Sequence, residues 1–240
     1  MACDMSELLS ISNVEIRVRR SDRRQTIGLT VERDGSVVAA VPVGIALGEV
    51  ERQLRSRELW LHSALTRRRS LTPPATVKQY VSGEGFHYLG RAYRLRVSRT
   101  TTADDQMPEV RLFQGMFHLR GDCARRGREC FVRWYSTQAD SWLAEKMPRL
   151  QRRVGVEVRR VVVMDLGYRW ASCSGAGRLN FHWRTILLPS DMIEYLVLHE
   201  LCHVIEHNHT PRFWSLVRRA DRDFAGKERW LKENGSRFDI

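Results

Sequence analysis

The stretch from Asp191 to Ile205, DMIEYLVLHELCHVI, constrains the fold more than any other part of the chain. Val197, Leu198, Leu201, Val204 and Ile205 recur at the three- and four-residue spacing of a helix, so one side of that helix must pack into a core. At about 100° per residue, His199 and His203 stand one turn apart, and both imidazoles can reach a single ion. Glu200 sits on the flank of that face, too far round to be a natural ligand but able to hold water and accept a proton. Asp191, with Glu194 three residues on, resembles a capping box in which Asp replaces the usual Ser or Thr. The bare H-E-x-x-H pattern is only moderately specific; the helical context, the apolar back and a further histidine nearby strengthen it.

Two histidines compete to complete the site, His207 and His209. Were the helix to continue, His207 would stand about 12 Å along the axis from His199 at about 1.5 Å per residue, too far to share an ion. His209 follows Asn208, which tolerates the left-handed conformation that ends helices, and precedes Thr210-Pro211, a cap-plus-proline helix start. His209 is therefore favoured, with His207 left as a solvated or outer group. Three protein ligands leave a fourth position open, as in catalytic rather than structural zinc sites. Cys202 reads as a small core residue and Cys173 as a packed thiol, since no histidine is placed by sequence to activate it.

With 240 residues the chain can bury one large core or two small ones, and 42% hydrophobic with 28% charged residues excludes wholesale disorder. MACDMSELLS lacks the basic start of a signal peptide, and no apolar run approaches the roughly 18 residues a membrane span needs. Cys3, Cys123, Cys130, Cys173 and Cys202 are odd in number and form no C-x-x-C pair, as in a reducing compartment. The expectation is a soluble cytoplasmic protein without a membrane partner, its oligomeric state open and a monomer compatible. The net charge of +12 would fit weak nucleic-acid binding through an Arg-rich surface, with patches at Arg67-Arg68-Arg69 and Arg125-Arg126. Only four of the forty basic residues are lysines, however, and arginine-biased coding composition is the simpler account.

Residues 1–13 read as a loose leader. Ile27, Leu29 and Val31 alternate with polar residues up to Asp34-Gly35, and Val37 and Val38 follow toward Pro42, which predicts a β-hairpin. Leu47, Val50, Leu54, Leu61 and Leu65 predict one helix over 47–67. Beyond Pro73-Pro74, short apolar runs with turns at Gly90 and Gly115 predict further strands, so the first half reads as mostly antiparallel β with one helix. Phe131, Trp134, Tyr135, Trp142, Leu143 and Leu150 predict a helix over about 128–152, kinked or shortened at Pro148. Strands are expected around Val158 to Val163 and Leu179 to Trp183. No internal repeat is evident. The fold class is α+β: a leader at 1–13, a β-rich region with one helix at 14–122, and a metal-dependent hydrolase domain at 123–240.

Four blocks resemble the YgjP-like metallopeptidase family in order and spacing: Arg169-Trp170-Ala171-Ser172-Cys173-Ser174, Leu179-Asn180-Phe181-His182-Trp183-Arg184, His199 to His203, and Asn208 to Trp214. The early segment from Arg19 to Gly35 is similar to the family's N-terminal part, so the resemblance covers most of the chain. It implies a zincin-like catalytic domain, distantly similar to SprT-type proteases, behind the β-rich part. It also implies zinc held by His199, His203 and His209, with Glu200 as the base. Ala171 stands where the family usually has glycine. The histidine spacing equals that of metzincins, but Glu206 replaces their turn glycine and no Met-turn follows, so that class is not assigned.

A zinc metallopeptidase acting on polypeptides is the first functional reading. The alternative the resemblance implies is a nucleoside triphosphate pyrophosphatase with a UTP-like substrate; Arg169, Trp170 and Arg184 are the candidate substrate-binding residues, the two guanidinium groups being apt for phosphate but equally readable as surface or outer arginines of an Arg-rich chain. A nucleic-acid-associated module is the third, without a helix-turn-helix or zinc-finger pattern to support it.

Overall fold

The computed structural model describes residues 7–12, 14–22, 24–31, 36–71, 78–98, 107–167, 169–175 and 177–240, with backbone alone at 63 and 66–71. Cys3, the turn at Asp34-Gly35, the break at Pro73-Pro74 and the side chains of Arg67-Arg68-Arg69 lie outside these. The architecture is α+β, with β-sheet early in the chain and helices later. It divides into two compact units, Met1–Ala75 and Thr76–Ile240, whereas the sequence reading set the division at 122/123.

In the first unit β1 (Glu7–Ile11), β2 (Val14–Ser21), β3 (Gly28–Val31) and β4 (Val37–Pro42) form a sheet in the order β1-β2-β4-β3. The expected hairpin is present as β3 against β4, with Leu29 opposite Ala39. Instead of a loose leader, Glu7–Ile11 pairs with β2. The expected single helix is two, α1 (Leu47–Arg55) and α2 (Glu58–Leu71). Between them the Ser56 hydroxyl donates to the Gln53 carbonyl at 2.8 Å, and this local bond competes with helix continuation. Ile16, Val18, Ala39 and Val41 are buried with Val50, Leu54 and Leu61 in one core.

The second unit opens with β5 (Gly85–Tyr88), β6 (Arg91–Val97), β7 (Val110–Phe113) and β8 (Met116–Leu119), in the order β5-β6-β8-β7. Leu89-Gly90 and Gln114-Gly115 all have positive φ, the conformation that closes two-residue hairpins. The strand order and orientations repeat those of the first sheet. Pairing is mostly antiparallel, as expected, but in both sheets the central pair is parallel, β2 with β4 and β6 with β8. No repeat of residues announces this, because alternation of apolar and polar positions suffices to set such a sheet.

The 28-residue helix α3 (Gly127–Val154) packs on this sheet, the Phe86 and Phe131 rings stacked at 4.3 Å. That shared core carries strands 85–119 into the unit of the later helices. Pro148 neither ends nor shortens α3, which runs on to Val154 and stops at Gly155 with φ 83. A second sheet, β9 (Arg160–Met164), β10 (Ala171–Cys173) and β11 (Arg178–His182), has the order β10-β11-β9, leaving β10 on an edge. The chain closes with α4 (Ser190–Ile205), α5 (Pro211–Ala220) and α6 (Phe224–Asn234).

Gly127, at the start of α3, lies against the Tyr80 ring, and a methyl there would meet Tyr80 Cγ at 2.3 Å. Tyr80 itself packs beside the stacked pair of Phe86 and Phe131, 5.7 and 5.8 Å between ring centroids. Gly127→Ala should therefore destabilise the second unit by about 1–3 kcal/mol through overpacking, read as a lower urea midpoint with unchanged slope.

Candidate metal centre

Helix α4 is built around its apolar back: Val197, Leu198 and Leu201 are buried, and so is Cys202, as a packed thiol. No Asp191 cap forms. Pro189 precedes the first turn, and Glu194 pairs with Arg149 on α3 instead. The helix ends at Ile205 because Glu206 turns extended, φ −137 and ψ 105. Asn208 does not adopt the left-handed conformation expected of it. Thr210 then caps α5, its hydroxyl accepting the Phe213 N–H at 3.3 Å with Pro211 at the first position.

This path returns His209 to the helix. Ring nitrogens of His199, His203 and His209 all lie within 4.8 Å of one another, a group that could hold a metal ion. His207 is not in it. The Nε2 atoms of His199 and His209 face each other at 3.2 Å. Two nitrogens bound to one tetrahedral zinc at about 2.0–2.1 Å stand about 3.3–3.4 Å apart, so the spacing fits. His203 Nδ1 lies 3.1 Å from the Glu206 carbonyl, which can only accept. Nδ1 is therefore the protonated nitrogen, and Nε2 keeps its lone pair for an ion.

Burial acts oppositely on the two kinds of group here. It pulls His199 down to about 3, helped by its two histidine neighbours, and it also lowers His203. It pushes Glu200 up to about 7, against the positive charge of Arg169 and a backbone hydrogen bond from Cys173. The His199 and His203 imidazoles are thus kept neutral, the form that binds metal.

The three expected substrate residues are placed differently from one another. Arg169 is exposed and acts on Glu200 through its charge. Trp170 is buried, packed beside Gly235. Arg184 is tied down: its guanidinium pairs with Asp239 and donates to the Gly167 carbonyl at 2.7 Å. Ala171 takes an ordinary strand conformation in β10, so its methyl is accommodated. Sequence reasoning missed the Cys173 amide, whose role follows from pairing register, and the two aromatic residues Phe213 and Trp214, which were visible only as part of a family block.

A second trio, Glu109, Cys123 and Cys130, also lies within 4.8 Å. There the Arg133 guanidinium already supplies the cation, donating to Glu109 Oε2 at 2.6 Å and to Cys130 Sγ at 3.4 Å.

The model of the YgjP-like metallopeptidase domain matches residues 25–234, and the chain belongs to that family. It is accordingly a metal-dependent hydrolase. The crystal structure of the metallopeptidase zymogen of Pyrococcus abyssi abylysin is similar at 18% sequence identity and a TM-score of 0.34, over 38% of this chain and 92% of that one. No curated protein matches the chain. Among the described residues no helix is long and apolar enough to cross a membrane.

Beside the blocks that flank α4, His182 is buried with Nε2–H donated to Asp165 at 3.2 Å and Nδ1 accepting the Arg184 N–H at 3.0 Å. Burial, then the Arg184 charge, lowers its pKa from 6.5 to about 4, against Asp165. The unfolded chain binds this proton more tightly, so stability is complete above about pH 6.5 and falls as the pH drops toward about 4. In metal-stripped protein the loss of urea resistance between about pH 7 and about pH 5 should be smaller in His182→Asn than in wild type.

Proposed function

We propose that the chain is a zinc metallopeptidase in which His199, His203 and His209 hold the metal and Glu200 is the general base. The observation that carries the peptide reading is the edge strand β10. Trp170 accepts from the His182 N–H, and the Ser174 N–H donates to Arg178, so the residues of that parity face β11. Ala171 and Cys173 therefore direct their N–H and C=O groups off the edge, and the Cys173 N–H reaches the Glu200 carboxylate. Among the described residues no backbone partner takes the Ala171 groups. An extended polypeptide can add to that edge as a strand, which sets its scissile carbonyl beside Glu200.

A bound zinc ion would supply Lewis acidity at that carbonyl and at the attacking water. Glu200 takes the proton from the water as it attacks and passes it to the departing amine. Its raised pKa suits both transfers, since the carboxyl can accept and release near neutrality. Arg169 keeps a share of the carboxyl ionised and available as base. Arg184, with its guanidinium engaged by Asp239 and Gly167, is poorly disposed to receive a triphosphate.

Glu200→Gln should keep its metal yet lose at least about 100-fold in kcat on an unstructured polypeptide. His209→Ala should lower zinc occupancy strongly while His207→Ala leaves it near wild type, read by metal analysis of the purified proteins. Efficient release of pyrophosphate from nucleoside triphosphates by zinc-loaded enzyme that leaves unstructured proteins intact would overturn the peptidase reading.

A further inference from the structure

His199 and His203 are held by a helix whose back is buried, but His209 is exposed and lies in the extended connection between α4 and α5. No regular backbone fixes its ring. What it packs against therefore decides its orientation, because an unsupported imidazole samples several staggered rotamers. Two consecutive aromatic residues of α5 meet the site. The buried Phe213 ring lies against all three imidazoles, stacked on His203 at 4.3 Å and edge-on to His199 and His209 at 5.0 and 4.8 Å. Trp214 stacks on His209 at 5.5 Å with 29° between planes, and stacks in turn on Phe224 at 5.7 Å and 29°.

We propose that Trp214 is the positioning residue of the third metal ligand. Braced by Phe224 at the start of α6, its indole holds the His209 ring so that Nε2 already faces Nε2 of His199 before an ion arrives. The inference rests on the metal reading above. Freezing the ring in advance removes rotamer entropy that metal binding would otherwise have to offset. The stack also extends the site's support to α6, which contributes no ligand.

The test is zinc affinity of the full chain, measured by competition with a chromophoric chelator. Trp214→Leu keeps an apolar side chain but loses the flat face, and should weaken zinc binding about tenfold, as loss of an outer support does elsewhere. Trp214→Phe keeps a flat ring and should bind nearly as tightly as wild type. In a His209→Ala background Trp214→Leu should cost little further, because the indole stacks on that imidazole alone and meets His199 only edge-on at 6.0 Å. A fully additive loss in that background, or wild-type affinity in Trp214→Leu, overturns the proposal while leaving His209 a ligand. If His209→Ala itself binds zinc as wild type does, the ligand reading falls and the positioning role falls with it.

Discussion

Burial of the apolar back of α4 is the interaction on which the rest of the site depends. Val197, Leu198 and Leu201 are each at most 1% exposed. Burying each such side chain contributes about 1.5–3 kcal/mol. Their anchorage fixes the helix's rotation about its own axis, and with it the direction of His199, Glu200 and His203. A helix free to roll by one residue would move those groups by about 100°.

The same burial prepares the chemistry. Taking acids and bases out of water disfavours their charged forms alike, so one environment favours unprotonated His199 and His203 and raises the Glu200 carboxyl toward neutrality. Arg169 and the Cys173 amide offset part of the cost at Glu200. Both come from the segment 169–173, so β10 and the residues leading into it tune the carboxyl. That coupling brings together the blocks around 169–174 and 199–203, although a strand and a 3-10 turn separate them in sequence.

The strand arrangement β1-β2-β4-β3 recurs as β5-β6-β8-β7, each sheet with helices packed on it. In the first unit the helices are short and carry no cluster of candidate ligands among the described residues. In the second, α3 is long enough to serve two neighbours, with Phe131 and Tyr135 against the four-stranded sheet and Arg149 paired to Glu194 of α4. The scaffold of the candidate metal centre thus begins at β5 and not at the helix where the sequence changes period.

His199, Glu200 and His203 could be grouped from sequence because their relation is local: helical spacing alone puts them on one face. His209 was legible for a similar reason, since Thr210-Pro211 announces a helix start and distance along the axis excludes His207. What ended α4 was not, because Glu206 leaves the helix through extended backbone rather than through a residue with a left-handed preference. The parallel centres of the two sheets likewise depend on partners far along the chain, whereas the break at Ser56 rests on a bond to Gln53 only three residues away. Arg184 shows the limit most plainly. Sequence offered it as a substrate-binding candidate or an outer arginine alike, and in the fold it pairs with Asp239, 55 residues away. The sequence by itself determined the helix that carries His199, Glu200 and His203 on one face, because a helix carries its geometry in its own spacing. Only the tertiary structure decided which charges stay available around it, because that depends on which groups folding brings within a hydrogen bond.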